Sequence, residues 1–413
     1  MTKKNIKQRP TVPMALFDDL KNIDNSNVLL VKEQKNFQDY QKAQSFLKAY
    51  SGSRGTFDSY RREIERFLQW SWTIENKTIK ELKREDIEKF IHFCQDPPKL
   101  WIGLKKTTRF IDKEGQRIQN PKWRPFIATI SKASRRNGKI PNLKDFEFSE
   151  TAIKETFAIL SSFYNYLLQE EYVFMNPVAL IRQKSKFIRK NQGPAKIRRL
   201  SDLQWQTIMK ITQEMAENKP ELHERTLFIM SALYAMYLRI SELTASDRWV
   251  PTMNHFYRDH DGNWWFTTVG KGNKQRQIAV SNAMLKALKR WRHHLGLSTV
   301  PSPADSSPLL PKIKGKGPMK DTNHIRAMVQ DCFYKAMYQL KKEGFIEEAE
   351  SLGEATVHWL RHTGISDDVK HRPREHVRDD AGHSSSATTD KYINIELSAR
   401  HKSAKHKPIA DQD

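Results

Sequence analysis

Large apolar residues recur at three- and four-residue steps along most of this 413-residue chain, and this spacing is the strongest constraint on its fold. Ile153, Phe157 and Leu160 are one example. Such spacing places one buried stripe along each helix, so the chain is predicted to be mainly helical. Patterns of this kind predict helices over residues 40–50, 60–68, 79–94, 150–171, 282–294, 323–342 and 356–369.

The helical period gives way to strand signals in one part of the second half. Residues 255–269, HFYRDHDGNWWFTTV, are typical of two strands joined by a turn at Asp261-Gly262. A second turn, Gly270-Lys271-Gly272-Asn273, leads to a third predicted strand, Gln275 to Val280. The expected fold class is therefore mainly α with a small antiparallel β-sheet, an α+β chain.

A basic segment divides the chain. Residues 184–199 read KSKFIRKNQGPAKIRR, contain no acidic residue and include the turn pair Gly193-Pro194, which indicates a linker. Ser201 and Gln204 then form a capping box for the next helix. The predicted organisation is a flexible N-terminal lead-in (1–40), a helical domain (41–185) with a basic insertion (97–145), a basic linker (186–199), a second domain (200–395) and a C-terminal tail (396–413).

The charge balance indicates a polyanionic partner. The chain has 71 Lys and Arg against 48 Asp and Glu, a formal net charge of +23. A long polyanion such as nucleic acid suits this surplus, because each neutralised phosphate releases counterions. A ribosome-associated protein, or a basic surface without a specific role, remains an alternative on charge alone.

Cysteine usage and hydropathy indicate the cellular compartment of the protein. Its two cysteines, Cys94 and Cys332, are far apart and have no metal-ligand spacing, which favours a reducing interior over a disulfide framework. No long apolar run predicts a membrane span, and the basic start lacks the apolar core of a secretory signal. A cytoplasmic, nucleoid-associated protein is expected.

Basic residues in the insertion and linker are the candidate contacts to a nucleic-acid backbone. In the insertion, WIGLKKTTRF, QNPKWRPF and SKASRRNGK interleave basic and aromatic residues, a composition that fits a segment lying along phosphates and sugars. An ordinary solvated loop and a solvated tether are the alternatives. The candidates are Arg135, Arg136, Lys184, Lys186, Arg189, Lys190, Lys196, Arg198 and Arg199.

Four short segments of the second domain carry a family resemblance. In order they are LRISEL (238–243), GKGNK (270–274), HWLRHT (358–363) and GHSS (382–385), the last followed by Tyr392. Together they resemble the signatures of tyrosine recombinases of the phage integrase family. The resemblance is close over residues 200–395 and looser over 40–185, which it likens to the helical core-binding domain.

The resemblance implies a two-domain DNA clamp, with a core-binding domain and a catalytic domain closing around a duplex. It also implies a site-specific recombinase (integrase) that integrates or excises a mobile element through a Holliday junction. Double-stranded DNA, a homo-tetramer on two DNA sites and an accessory DNA-bending or directionality protein are the partners that follow, with no membrane partner.

Two arginines fit the charge that phosphodiester cleavage creates. The attacked phosphorus becomes pentavalent and gains negative charge on its non-bridging oxygens, which guanidinium groups can bind. Arg239 and Arg361 are the candidates, although Arg239 could instead form a surface ion pair with Glu242.

Histidines accompany these arginines. His358 shares a helix face with Arg361, and His383 follows a glycine at a turn. His362, four residues after His358, has zinc-pair spacing, but no third ligand is evident, so no metal site is predicted.

Tyr392 is the expected nucleophile. Its hydroxyl would attack phosphorus and form a phosphotyrosine link, with His358 as base or proton carrier and His383 assisting. The family resemblance assigns the protonation of the departing 5′ oxygen to Lys271, with Lys274 as the alternative. Because these cations supply the charge that a metal supplies elsewhere, no cofactor, divalent metal or ATP is expected.

The chain departs from the family pattern before its GH turn. An apolar run such as LLGH is usual there, whereas here Asp379-Asp380-Ala381 precede Gly382-His383, so the support of His383 is an open question. Two rival functions also remain open: a type IB topoisomerase or telomere resolvase with the same chemistry, and a regulatory or architectural DNA-binding protein without catalysis.

Overall fold

The computed structural model describes residues 11–25, 36–184, 198–270, 272–383, 385, 388–390 and 404–405, without the side chains of 25, 180 and 182–184. The chain divides into two compact units, Met1–Gln192 and Gly193–Asp413. The division falls inside the predicted linker 186–199. Each unit has its own apolar core.

The first unit is built on helices. Its two longest helices each have 20 residues and a serine cap: Ser53 accepts from the backbone N–H of Thr56, and Ser149 accepts from that of Ala152. Phe67, Phe90 and Tyr164 meet in the core between helices. The helices are α1 (Phe37–Ala49), α2 (Arg54–Thr73), α3 (Arg84–Gln95), α4 (Lys132–Arg136), α5 (Glu150–Gln169) and α6 (Pro177–Lys184).

The predicted insertion is a folded part of the first unit, and its aromatic residues face inward. Trp101 and Phe126 are buried in the core of the unit, and Trp123 is buried with Phe110 in a smaller cluster. The composition of this segment fitted either a stretch of chain along phosphates and sugars or a solvated loop, and neither alternative anticipated these buried rings, which complete apolar cores. The strands are β1 (Ile102–Gly103), β2 (Phe110–Lys113), β3 (Gln116–Gln119) and β4 (Phe126–Ile127), pairing β1–β4 in parallel and β2–β3 antiparallel.

Residues 11–25 are packed onto the first unit, which corrects the expectation of a flexible lead-in for this stretch. The backbone N–H groups of Leu16 and Phe17 donate to the buried Glu65 carboxylate at 2.5 and 3.1 Å. Phe17 is fully buried and stacks on Tyr40 with ring centroids 5.0 Å apart. This attachment carries no periodic signal, because the segment is extended and its partner Glu65 is distant in sequence.

The second unit is also mainly helical, with a three-stranded antiparallel sheet. Ser201 accepts from the backbone N–H of Gln204, as the capping box predicts. The sheet pairs Phe256 with Phe266 and Phe266 with Ile278, so one apolar row faces the core. The strands are β5 (Phe256–Arg258), β6 (Trp264–Val269) and β7 (Gln275–Ala279). The helices are α7 (Asp202–Asn218), α8 (Pro220–Ala235), α9 (Ile240–Leu243), α10 (Asn282–His294), α11 (Thr322–Lys342), α12 (Ile346–Gly353), α13 (Val357–Asp368) and α14 (Arg374–Ala381).

The fold class predicted from the sequence is confirmed: the described chain is mainly α with small sheets. Helices α10, α11 and α13 begin and end within two residues of their predicted bounds, and the three predicted strands pair in the order β5–β6–β7. None of the helices in the described ranges combines the length and apolar character needed to cross a membrane.

Candidate active site

Arg239 lies at the start of α9 and shares a carboxylate with a second arginine. Its Nη1 donates to Oε1 of Glu242 at 3.0 Å, and its backbone N–H donates to Oε2 at 2.8 Å. Arg276, on β7, binds the same carboxylate through Nη1 (2.7 Å) and Nη2 (2.8 Å). The ion pair that the sequence offered as an alternative for Arg239 does form. Two guanidiniums on one carboxylate nevertheless leave a net positive charge, and the Arg239 side chain stays 30% exposed.

Glu242 is held in its charged form. Burial would raise the pKa of this carboxyl, but the contacts with Arg276 and Arg239 lower it below the ordinary glutamate value. The side chain is 1% exposed, so Glu242 acts as a fixed internal counter-ion rather than a surface partner.

Arg361, on α13, is buried and bound by backbone carbonyls. Its Nη1 donates to the carbonyl oxygen of Tyr237, and its Nη2 donates to that of Ala381 at 2.5 Å. Tyr237 lies just before Arg239, and Ala381 lies just before the Gly382-His383 turn. The guanidinium therefore joins the two segments that carry the other candidate residues, and carbonyl dipoles position it without neutralising its charge.

Three histidines lie within the field of these arginines. The rings of His358 and His362 meet edge to face, with centroids 4.3 Å apart. Burial, then the charges of Arg361 and Arg239, lower the pKa of His358. Burial, together with the charge of His358 and other nearby cations, lowers the pKa of His362 to about 4.

His383 is affected by the same charges. Burial, then Arg361, Arg239 and Arg276, lower its pKa to about 4, and its Nδ1 lies 2.9 Å from Oγ1 of Thr389. These electrostatic effects link all the described candidate residues. An anion bound among them would raise the pKa values of the histidines again, because it would offset the guanidinium charge.

The turn that carries His383 ends α14. Gly382 has φ +64°, and a Cβ there would lie 2.8 Å from Cδ of Arg276, so both the backbone conformation and the space favour glycine. Asp380, one of the residues that departs from the apolar family pattern, is 5% exposed. Its carboxylate accepts from Arg372 and from the backbone of Ala279, so the polar stretch before the turn is packed rather than irregular.

Two catalytic candidates, Lys271 and Tyr392, lie outside the described residues. Gly270, which precedes Lys271, is close to Arg239: a Cβ built on it would lie 3.5 Å from Arg239 Nη1. Among the predicted catalytic set, the structure thus brings together Arg239, His358, Arg361 and His383.

The candidate DNA contacts are only partly described. Arg135 and Arg136, in α4, are exposed. Arg198 is exposed, whereas Arg199 is less exposed and lies 3.9 Å from a carboxylate oxygen of Asp367. The side chains or whole residues outside the described part are Lys184, Lys186, Arg189, Lys190 and Lys196.

Sequence analysis did not single out Arg276, and it noted Asp380 only as a departure from the family pattern. Arg276 follows the GKGNK turn on a strand where polar and apolar residues alternate, and it was counted only as part of that strand. A basic residue at a strand position that alternation predicts to face inward, two residues before the buried Ile278, is the signal that could have identified it. Within the described ranges, no group of three or more His, Cys, Asp or Glu is arranged to hold a metal ion.

Comparison with known families finds a match in the second half of the chain. Residues 198–398 match the sequence model of the phage integrase family. The comparison with curated proteins finds no significant match.

Solved structures of tyrosine recombinases are similar in fold. XerH site-specific recombinase bound to a palindromic difH substrate, in a post-cleavage complex, is 12% identical with a TM-score of 0.52; the alignment covers 96% of this chain and 91% of XerH. The Tn1549 transposon integrase in complex with a circular intermediate DNA is 14% identical, covering 89% and 98% of the two chains, with a TM-score of 0.49. The XerH match, at this identity, is a likeness of fold.

Proposed function

We propose that this protein is a site-specific DNA recombinase that breaks and rejoins DNA strands through Tyr392. The observation that supports the proposal is the convergence of Arg239, Arg361, His358 and His383. Carbonyl contacts hold Arg361, and burial together with the charges of Arg361 and Arg239 lowers the pKa of both histidines. Burial and the two arginines disfavour protonation of the histidines, and the unneutralised guanidinium charge that remains is suited to binding an anionic group.

A phosphodiester is the anion that this cluster fits. Arg239, partly exposed, contacts a non-bridging oxygen directly, while the buried charge of Arg361 stabilises the pentavalent phosphorus. The phenolic oxygen of Tyr392 forms a bond to phosphorus as the bond from phosphorus to the 5′ oxygen breaks.

Protons move between side chains in this reaction. The phenol proton passes to His358, whose lowered pKa keeps it neutral and able to accept, with His383 assisting. The departing 5′ oxygen takes a proton from Lys271, or from Lys274 if the turn is used differently. The DNA is then linked to the enzyme as a 3′-phosphotyrosine, and attack by a 5′ hydroxyl of a second strand reverses every step.

Likeness to recombinases solved with DNA supports duplex DNA as the substrate. The net charge of +23 supports it independently. A homo-tetramer on two sites, a Holliday junction, an accessory DNA-bending or directionality protein and a role in moving a mobile element all belong to this proposal, as does reaction without a divalent metal.

A nicked duplex tests the chemistry. Footprinting on the DNA that flanks the gene would supply the site, and a nick beside the scissile phosphate would trap the covalent protein–DNA adduct. The natural chain should accumulate adduct in EDTA, and Tyr392→Phe should give none. Tyr338→Phe, which changes a tyrosine that is 72% exposed on α11, is the matched control and should react normally. Adduct with Tyr392→Phe, or a requirement for magnesium, would overturn the mechanism.

The same preparation separates the rival functions. A type IB topoisomerase relaxes supercoiled plasmid without a second site, a telomere resolvase produces hairpin ends, and a regulator binds without forming adduct. Strand exchange only between two copies of the footprinted site is the result expected of a recombinase.

A further inference from the structure

Asp380 occupies a position where the family resemblance predicts an apolar residue. Both of its carboxylate oxygens and its backbone carbonyl oxygen accept hydrogen bonds. Oδ2 accepts from Nη2 of Arg372 at 2.5 Å, and Oδ1 accepts from the backbone N–H of Ala279 at 3.2 Å. Its own carbonyl oxygen accepts from Nε of Arg276 at 2.9 Å. One residue thus connects the end of α14 to β7.

Arg372 extends this connection. Its Nη1 donates to Oδ2 of Asp368 and to the hydroxyl of Tyr237, both at 3.0 Å. Tyr237 in turn supplies the carbonyl that positions Arg361. The polar chain therefore runs from the segment before Arg239, through Arg372, to the turn that carries His383.

We propose that Asp380 is a positioning residue that fixes His383 and Arg276 relative to each other, the role filled by apolar packing in the usual family pattern. The expected effect of Asp380 on the reaction rate rests on the proposed function. The expected effect of Asp380 on the position of His383 rests only on the contacts described above.

The geometry explains why this residue can act at a distance from the phosphate. Arg276 forms two hydrogen bonds with the Glu242 carboxylate and a third with the backbone carbonyl of Asp380, so a shift of the backbone at Asp380, which its side chain anchors to Arg372 and Ala279, releases one end of the arginine. Because Glu242 also orients Arg239, loss of Asp380 affects both the histidine and the guanidinium of the site. The pair joins the buried Asp380 carboxylate to a guanidinium that is 30% exposed, and we infer that it specifies one arrangement of the turn more than it adds stability.

The neighbouring aspartate provides a matched control. Asp379 is 65% exposed and pairs with Arg378 on the surface, at 2.8 Å. Asp380→Ala and Asp379→Ala make the same chemical change one residue apart. The first removes the contacts with Arg372 and Ala279, and the second removes only a surface pair with Arg378. Asp380→Asn keeps an oxygen for the Ala279 N–H but loses the charge that Arg372 binds.

The first measurement is the imidazole pKa of His383 by NMR of histidine-labelled protein, with His383→Gln to assign its signal. In Asp380→Ala this pKa should rise from about 4 by at least one pH unit, and in Asp379→Ala it should stay unchanged. An unchanged value in a folded Asp380→Ala protein overturns the proposal. This readout requires no DNA cleavage.

The second measurement is the rate of adduct formation at saturating nicked DNA. Asp380→Ala should lower this rate 10- to 100-fold while the half-saturating DNA concentration changes less than twofold, and Asp380→Asn should retain an intermediate rate. Equal rates in Asp380→Ala and the natural chain, with matched thermal melting, would refute the inference. An inactive natural chain with a shifted His383 pKa in Asp380→Ala would refute the proposed function and retain the positioning role.

Discussion

Arg276 and Glu242 are joined by two parallel hydrogen bonds of 2.7 and 2.8 Å between side chains that are 9% and 1% exposed. Arg239 joins this pair, because its Nη1 contacts the same carboxylate at 3.0 Å. Planar guanidinium and carboxylate groups that meet at two points fix orientation as well as distance. The placement of the exposed arginine therefore depends on a partner on another element.

Replacing Glu242 by glutamine should destabilise the second unit. The change removes the charge shared by two arginines and leaves Arg276 buried without it, a situation that typically costs about 3–5 kcal/mol. Urea unfolding measures the loss, and adduct formation should fall with it. Glu347→Gln, at an exposed position of α12, is the control and should change unfolding by less than about 0.5 kcal/mol. Equal stability of the two variants would mean that the shared carboxylate has no structural role.

Acidification should destabilise the folded chain between about pH 6.5 and 4. In this window His362 and His383 stay neutral in the folded protein, because their pKa values there are about 4. In the unfolded chain the same histidines have the ordinary pKa of about 6.5 and become protonated. The unfolded state thus holds more protons, and stability rises with pH. Lowering the pH from 7 to 5 should cost about 2 kcal/mol for each group.

A pair of variants isolates this effect. The double change His362→Gln/His383→Gln should flatten the dependence of unfolding free energy on pH. His260→Gln, at a side chain that is 90% exposed, should leave the dependence as it is. The same slope in the double variant and the natural chain would show that these histidines are not held neutral by the fold.

Arg135 and Arg136 should contribute to DNA affinity through phosphate contacts. Both are exposed on α4, so replacing both by glutamine should weaken binding at low salt and reduce the dependence of log Kd on log salt by about one per lost contact. Fluorescence anisotropy on a duplex at several salt concentrations measures both. The control removes two charges from α11, Arg326→Gln with Lys335→Gln. A slope change as large in the control as in the α4 variant would indicate a diffuse charge effect.

Most secondary structure in the second unit could be predicted from the sequence, because it depends on local patterns. The helix over Asn282–His294 follows from its period and its Ser281 cap, and the hairpin follows from Asp261-Gly262. The grouping of Arg239, His358, Arg361 and His383 followed from the family resemblance. Spacing alone places only His358 and Arg361 together, because they lie three residues apart on one helix.

The remaining features depend on contacts between distant positions. Asp380 meets Ala279 and Arg276, about a hundred residues earlier, and no local pattern encodes that pairing. The inward aromatics of the insertion were not anticipated for a related reason: a basic-aromatic composition fits both a nucleic-acid surface and a loop that packs its rings under arginines. In the structure Arg66 lies 4.2 Å from the ring centre of Phe126, and Arg109 lies 4.8 Å from that of Trp123.

Gly364 should not tolerate a side chain. It lies on α13 where that helix packs against the carbonyl group of Tyr234 on α8, and a Cβ at this position would overlap the carbonyl oxygen. Gly364→Ala should therefore cost about 1–3 kcal/mol through overpacking. Gly55→Ala, in the first turn of α2 with open space around the position, should be neutral or stabilising by up to about 1 kcal/mol. Opposite signs in urea unfolding are expected, and a neutral Gly364→Ala would show that α8 and α13 can separate without penalty.

The attachment of residues 11–25 gives the remaining prediction. Phe17 is fully buried against Tyr40, and its backbone is held by Glu65, a carboxylate that also binds Arg109 of the insertion. Phe17→Ala should cost about 3–5 kcal/mol in the first unit, because it leaves a cavity where an aromatic ring was packed. Val12→Ala, at a side chain that is 37% exposed, removes apolar volume from the same segment without opening a buried space. Hydrogen exchange should show lost protection at Leu16 and Phe17 in the first variant only. Equal protection and equal unfolding free energy in both variants would mean that the segment rests on the surface without contributing to the fold.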